Sequence, residues 1–338
     1  MIYQEKVARF LFATLQNQSI PHGFLFTGME GVGKRDAAMA YAMACNCLHR
    51  AEMTEPGAGV FPERVDCDAP MDIPCGTCRP CRKILSGQHP DIIYVKPSAR
   101  VIKIAQIREL CRCLAMKPYE AEVRTVIVSD ADRLNAEAGN ALLKILEEPP
   151  VGTIFILTAL QASDLLPTIV SRCQQVRFHP IPAQRLQPLL VETYGLDQEQ
   201  AGIMARMAGG SWTTARKICE TEWGAFRKRL LREISALSDH SVSQRLYFAE
   251  TLCSLKERLP DVLDICQTWF RDLLIFTDAP DKIINTDMTN LIADISHRWR
   301  PATLHRIVEA VGMAQRRLQA NANARLVMDM LILEMAGG

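Results

Sequence analysis

The stretch Gly28-Met29-Glu30-Gly31-Val32-Gly33-Lys34-Arg35 could hold phosphate. It follows the apolar run Phe24-Leu25-Phe26 and precedes the Ala-rich run that starts at Asp36. A glycine loop between a strand and a helix turns backbone N–H groups toward phosphate oxygens, and the helix N-terminus and Lys34 add positive charge. The usual pattern ends in Ser or Thr, whose hydroxyl meets Mg²⁺. Here that position is Arg35, so the loop is built for phosphate and poorly built for the metal that hydrolysis needs. The plainer alternative is a Gly-rich turn at a strand–helix junction. Gly28, Gly31, Gly33, Lys34 and Arg35 are therefore candidate nucleotide contacts. Asp130, at the end of the apolar run Thr125–Val128, is a candidate Walker-B aspartate. The residue after it, where an active ATPase places a glutamate base, is Ala131. Capping of the next turn is the competing reading for Asp130.

A second candidate centre is Cys67, Cys75, Cys78 and Cys81, spaced C-x7-C-x2-C-x2-C. Four thiolates so grouped suit a closed tetrahedral Zn²⁺ site with a structural role. An iron–sulfur cluster or a C-x-x-C dithiol would use some of the same residues. The other cysteines, at 45, 47, 111, 113, 173, 219, 253 and 266, lie mostly in apolar helical patterns and read as small buried hydrophobes.

These residues need elements to position them. The chain has 338 residues, long enough for two or three domains. With 48% apolar and 23% charged residues it is an ordinary globular composition. A net charge of +1 gives no global pull toward nucleic acid. No apolar run reaches the roughly 18 residues of a membrane span, and the first residues do not form a signal peptide, so a cytoplasmic protein is expected. Apolar runs near 24–26, 92–95, 124–129, 153–158 and 176–178 alternate with helical periodicity and predict a doubly wound parallel α/β domain. A helix is expected over 136–148, stopped by Pro149-Pro150. After His179-Pro180 strand signals largely stop. Trp269, Phe270, Leu273 and Leu274 read as helix-packing core, and Arg316, Arg317 and Arg325 as a solvated face.

Taken together the chain resembles the bacterial clamp-loader AAA+ subunits of DNA polymerase III. The resemblance rests on His22-Gly23, the Gly28–Lys34 loop, the cysteine cluster with His89-Pro90-Asp91, the run Asn140 to Pro150, and Ser171-Arg172-Cys173. It is sharp over about 20–180, looser over 181–223, and beyond that rests on helical character. It implies an AAA+, RecA-like domain over 1–179 with a zinc module inserted at about 67–81. A helical lid over 180–223 and an all-α collar over 224–338 would follow. It implies a hetero-pentameric ring with gamma/tau and delta subunits that loads a sliding clamp onto primed-template DNA. In this family the Ser-Arg-Cys arginine, here Arg172, points into the neighbouring subunit's ATP site as an arginine finger. The gamma and tau motors are expected to carry a hydroxyl after the loop lysine, an acidic pair at Walker B and a lid arginine. This chain has Arg35, Ala131 and, at the lid position, Thr213. That combination fits a member that turns over no ATP and binds ATP or ADP weakly or statically. The alternatives are a gamma/tau-type motor, told apart by turnover of the isolated chain, and a free-standing P-loop phosphotransferase, which would need neither Arg172 nor the long helical tail.

Overall fold

The computed structural model describes residues 4–17, 20–49, 74–220, 223–320 and 322–336. The chain packs as two compact units, residues 1–182 with 210–213, and residues 183–209 with 214–338.

The first unit is built on five parallel strands: β1 Gly23–Thr27, β2 Ile92–Val95, β3 Arg124–Val128, β4 Thr153–Ala159 and β5 Gln174–Arg177. Their order across the sheet is β2-β3-β4-β1-β5. Side chains alternate between the two faces of each strand, so one apolar run feeds two cores. Phe24, Phe26, Ile127 and Ile156 face α1 (Glu5–Gln16), α2 (Lys34–Asn46) and α3 (Arg79–Leu85). Leu25, Val126, Val128, Phe155 and Leu157 face α4 (Ile104–Leu114), α5 (Ala136–Glu147) and the single turn α6 (Pro167–Val170). This is an AAA+, RecA-like arrangement, as expected. The central strands β1, β3 and β4 are buried at every position, whereas β5 buries only Val176. As an edge strand β5 carries no continuous apolar signal, and it begins two residues before the expected run at Val176. Cys67 and the rest of the 50–73 segment lie outside the described residues.

The second unit is helical: α7 Ala183–Tyr194, α8 Gln198–Met207, α9 Trp212–Glu220, α10 Trp223–Ser235, α11 Val242–Ser254, α12 Leu259–Ile275, α13 Thr289–Ser296, α14 Pro301–Gln319 and α15 Ala324–Met335. The first two residues of α9, Trp212 and Thr213, belong to the first unit. Trp269, Phe270 and Leu273 on α12 are buried in the core of this region, and Leu274 packs against it. Arg316 and Arg317 are exposed, but Arg325 is paired with Glu250 at 3.1 Å and Asp329 at 3.0 Å.

Candidate functional site

Because all five strands run parallel, the loops after β1, β3 and β4 gather at one edge of the sheet. The chain leaves β1 through the glycine loop, and α2 begins at Lys34. The Gly28 N–H extends the ladder to the Leu160 carbonyl at 3.0 Å. Gly28, Gly31 and Gly33 have φ of +142°, +76° and +90°. Gly28 and Gly31 are also closely packed. A Cβ on Gly28 would lie 2.5 Å from the Phe178 carbonyl oxygen, and one on Gly31 would lie 2.0 Å from Ser211 Oγ and 3.0 Å from Thr213 Cβ. The Trp212 N–H donates to the Gly31 carbonyl at 2.8 Å. Residues 210–213, with Thr213 where a lid arginine was expected, therefore lie directly on the loop.

The Lys34 ammonium donates to the Met29 carbonyl at 3.0 Å and also to the Gly28 carbonyl. Burial pulls its pKa below the usual lysine value, against the opposing pull of Asp130, Glu30 and Asp132. Asp130 is thus close enough to Lys34 to act on its charge. Its backbone is left-handed, with φ of 52°, and its N–H donates to Thr158 Oγ1 at 3.1 Å. Ala131 is buried at 1% exposure and offers no base. The Arg35 guanidinium carbon lies 5.8 Å from the centroid of the Tyr94 ring on β2, an arrangement that cation–π attraction favours. The first turn of α2 has no side-chain cap, so its N–H groups keep the anion-binding character of a helix start.

Arg172 sits where α6 turns into β5. It forms a salt bridge to Glu147 at 2.7 Å, and its Nη1 donates to the Thr168 carbonyl at 3.0 Å. Its side chain is 35% exposed. The Ser171-Arg172-Cys173 and Asn140–Pro150 motifs thus meet through this pair. The third motif residue, Cys173, is buried, and burial pushes its thiol up to about 11. Its sulfur lies 3.2 Å from where a Cβ on Gly23 would stand, which explains the glycine that opens β1.

The thiols of Cys47, Cys75, Cys78 and Cys81 all lie within 4.8 Å of one another. Cys47 follows the last residue of α2, Cys78 is the residue just before α3, and Cys81 lies in its first turn. Four sulfurs around one Zn²⁺ at about 2.3 Å would stand about 3.8 Å apart, so the donor set fits a tetrahedral metal. Cys47, read from sequence as an apolar filler, is corrected to a member of this cluster. Its position just past the end of α2 carries no sequence signal that sets it apart from a buried thiol. The Thr77 hydroxyl and the Cys78 N–H, 3.5 and 3.3 Å from Cys75 Sγ, draw that thiol down to about 5. Burial pushes the Cys47 and Cys81 thiols up.

His89 and Asp91 brace the same region. His89 is buried, and its Nδ1 accepts the Asp91 N–H at 3.2 Å. The Asp91 carboxylate accepts the N–H groups of Tyr119, Glu120 and Ala121 at 2.9, 2.7 and 2.9 Å. Burial alone would raise this carboxyl, but those N–H groups and Arg124 outweigh it and hold the pKa below the ordinary value. Glu120 in turn pairs with Lys83 of α3 at 2.6 Å. The His-Pro-Asp segment is thus a structural clasp between α3, β2 and the approach to β3. Its polar residues gave no sequence sign of these backbone partners.

A family model described as DNA polymerase III, delta subunit matches residues 3–182, and one described as DNA polymerase III, delta subunit, C terminal matches residues 222–336. The DNA polymerase III subunit delta' of Bacillus subtilis (strain 168) is 30% identical, over 99% of this chain and 97% of its own. That of Escherichia coli (strain K12) is 26% identical, over 96% and 91%. A crystal structure of a DNA polymerase III, gamma subunit-related protein from Thermotoga maritima aligns with a TM-score of 0.50 at 19% identity. It covers 97% of this chain and 98% of that one, which shows a shared fold.

Proposed function

The chain belongs to the delta-prime clamp-loader subunits of DNA polymerase III, and from that premise we propose that it is the non-hydrolysing member of the ring, lending Arg172 to a neighbour. Its partners would be gamma/tau and delta subunits in a hetero-pentamer, which loads a sliding clamp onto primed DNA in the cytoplasm. Among the described residues no helix is long and apolar enough to cross a membrane.

One contrast carries this reading. At the chain's own cradle the positions that chemistry needs hold Arg35, Ala131 and Thr213, while the chain carries Arg172, half-buried and paired with Glu147, in its Ser-Arg-Cys segment. A guanidinium brought against a neighbour's γ-phosphate offsets charge that builds up in phosphoryl transfer. The chain's own loop, with Gly28, Gly31, Gly33 and Lys34, would hold ATP or ADP weakly or statically. Arg35 offers no oxygen to Mg²⁺, and Asp130 has no glutamate beside it.

Zinc is the proposed occupant of the thiol cluster, held by Cys47, Cys75, Cys78 and Cys81. Four protein donors fill a tetrahedron, so zinc there would bind α2 to α3 and leave no open position for catalysis.

Steady-state ATP hydrolysis by the purified chain, with and without its partner subunits, tests the functional reading. We expect no turnover by the chain alone and a rise in the partners' rate on mixing, reduced at least about tenfold by Arg172→Ala with assembly intact. Robust turnover by the isolated chain would make it a motor in its own right.

A further inference from the structure

Arg172 is held by groups whose placement ordinary helix stability does not explain. Glu147 is the last residue of α5, followed by Glu148, and the only basic residue in that last turn is Lys144. A helix C-terminus carries partial negative charge and disfavours carboxylates. The Glu147 carboxylate is nevertheless placed there, with an oxygen 2.7 Å from Arg172 Nη2. On the other side of the guanidinium, Nη1 donates to the Thr168 carbonyl at 3.0 Å and to Ser171 Oγ at 3.4 Å. Thr168 lies in α6, so the cation meets one backbone carbonyl of α6, one hydroxyl and the carboxylate at the end of α5.

This pair is poorly suited to stabilising the fold. The two side chains are 35% and 49% exposed, and exposed ion pairs contribute little. It is well suited to restricting a long side chain. We propose that Glu147 is a positioning residue for Arg172, fixing the guanidinium at the surface before it reaches a neighbour's triphosphate. The proposal rests on the reading of Arg172 as a finger given in trans. A flexible arginine must give up rotamer freedom when it engages phosphate, and one already held at both terminal nitrogens gives up less. A solvated single carboxylate does not retain the guanidinium against a polyanion, so the restraint costs the neighbouring site little.

The test uses the chain reconstituted with its partner ATPase subunits. Steady-state hydrolysis is measured with Glu147→Gln, Glu147→Asp, Arg172→Ala and the Glu147→Gln/Arg172→Ala pair. Glu147→Gln is expected to lower kcat about 3- to 10-fold with KM for ATP unchanged, because the lost orientation matters in the transition state. Glu147→Asp recovers part of the loss, and Glu147→Gln adds nothing once Arg172 is Ala. The melting temperature of the free chain stays at the wild-type value in both single Glu147 variants. An unchanged or raised kcat in Glu147→Gln, beside a clear loss in Arg172→Ala, overturns the positioning role and leaves the finger standing. A further loss on top of Arg172→Ala, or failure of both Glu147 variants to assemble, also overturns it. No effect of Arg172→Ala removes the finger itself.

Discussion

At one end of α2 stands Lys34, its first residue; one residue past the other end stands Cys47. The Lys34 end has a glycine loop with left-handed backbone at Gly31 and Gly33, and on the proposed reading it lacks the side chains that hydrolysis needs. The Cys47 end has four thiols within 4.8 Å of one another. Two glycines of the loop have a packing role that needs no phosphate. Gly28 gives way to the Phe178 carbonyl, and Gly31 gives way to Ser211. Lys34 too has work within the loop, donating to the carbonyls of Gly28 and Met29. Positions 35, 131 and 213, where the proposed reading looks for catalytic side chains, hold Arg, Ala and Thr, each packed in its own way: over Tyr94, in the core and against Gly31. A motif's backbone residues therefore report on packing.

The largest effect should come from breaking the complete end. Cys47→Ser is expected to drop bound zinc from about one per chain to a small fraction, and to destabilise the chain by at least about 3 kcal/mol. Cys67→Ser should keep its zinc. Metal analysis beside chemical denaturation reads both. Zinc kept in Cys47→Ser and lost in Cys67→Ser would return the fourth place to Cys67.

The other end should respond to packing before it responds to nucleotide. Gly31→Ala forces a side chain into a backbone of φ +76° and against Ser211 Oγ. A cost of about 2 to 3 kcal/mol is expected without any nucleotide present. If Gly31→Ala is neutral in stability and impairs only nucleotide binding, the glycine serves phosphate after all.

How far these two ends could be read from sequence follows from what each kind of residue signals. The central strands β1, β3 and β4 were legible because burial on both faces demands unbroken apolar runs. The edge strand β5, with Gln174, Gln175 and Arg177 exposed, was legible only through Val176. That a glycine turn joins β1 to α2 was legible because the positive φ at Gly28, Gly31 and Gly33 constrains residue type over a short span. Cys47 was not, since a single cysteine at a helix end looks like any buried thiol until the chain folds Cys75 back onto it. Nor was the clasp of Asp91, whose carboxylate bonds three N–H groups 28 to 30 residues further along. The meeting of Glu147 with Arg172 is hidden for the same reason: each motif stands in the sequence and their contact does not.

The region beside the thiol cluster can be weakened by acid. Asp91→Asn replaces a charged acceptor of backbone N–H groups and should cost about 2 kcal/mol near neutral pH. The Asp91 carboxyl is depressed in the folded chain. Its contribution is therefore present above the unfolded value, about 3.9, and fades as pH falls through the lower folded value. The stability gap between wild type and Asp91→Asn should hold from pH 8 to about pH 5 and narrow on further acidification. A gap that stays constant down to acid unfolding would mean the charge of Asp91 contributes nothing beyond its shape.

The smallest effect is expected at Lys34, and it bears most directly on the depleted end. In a working phosphate loop the lysine supplies a strong contact to the β- and γ-phosphates. Here its ammonium already has two carbonyl partners, and burial lowers its affinity for the proton. A phosphate must displace those carbonyls, so the net gain on binding is the difference between two sets of contacts. Lys34→Ala should therefore weaken ATP or ADP binding by less than tenfold, about 1.4 kcal/mol, in calorimetric titration. Mg²⁺ should leave the affinity nearly unchanged, because Arg35 occupies the hydroxyl's place. Hydrolysis by the assembled partners should also be unaffected, since the proposed finger is Arg172 and not a residue of this loop. Micromolar, Mg²⁺-dependent binding that disappears in Lys34→Ala would place a working phosphate site at this end of α2 and remove the contrast with the other.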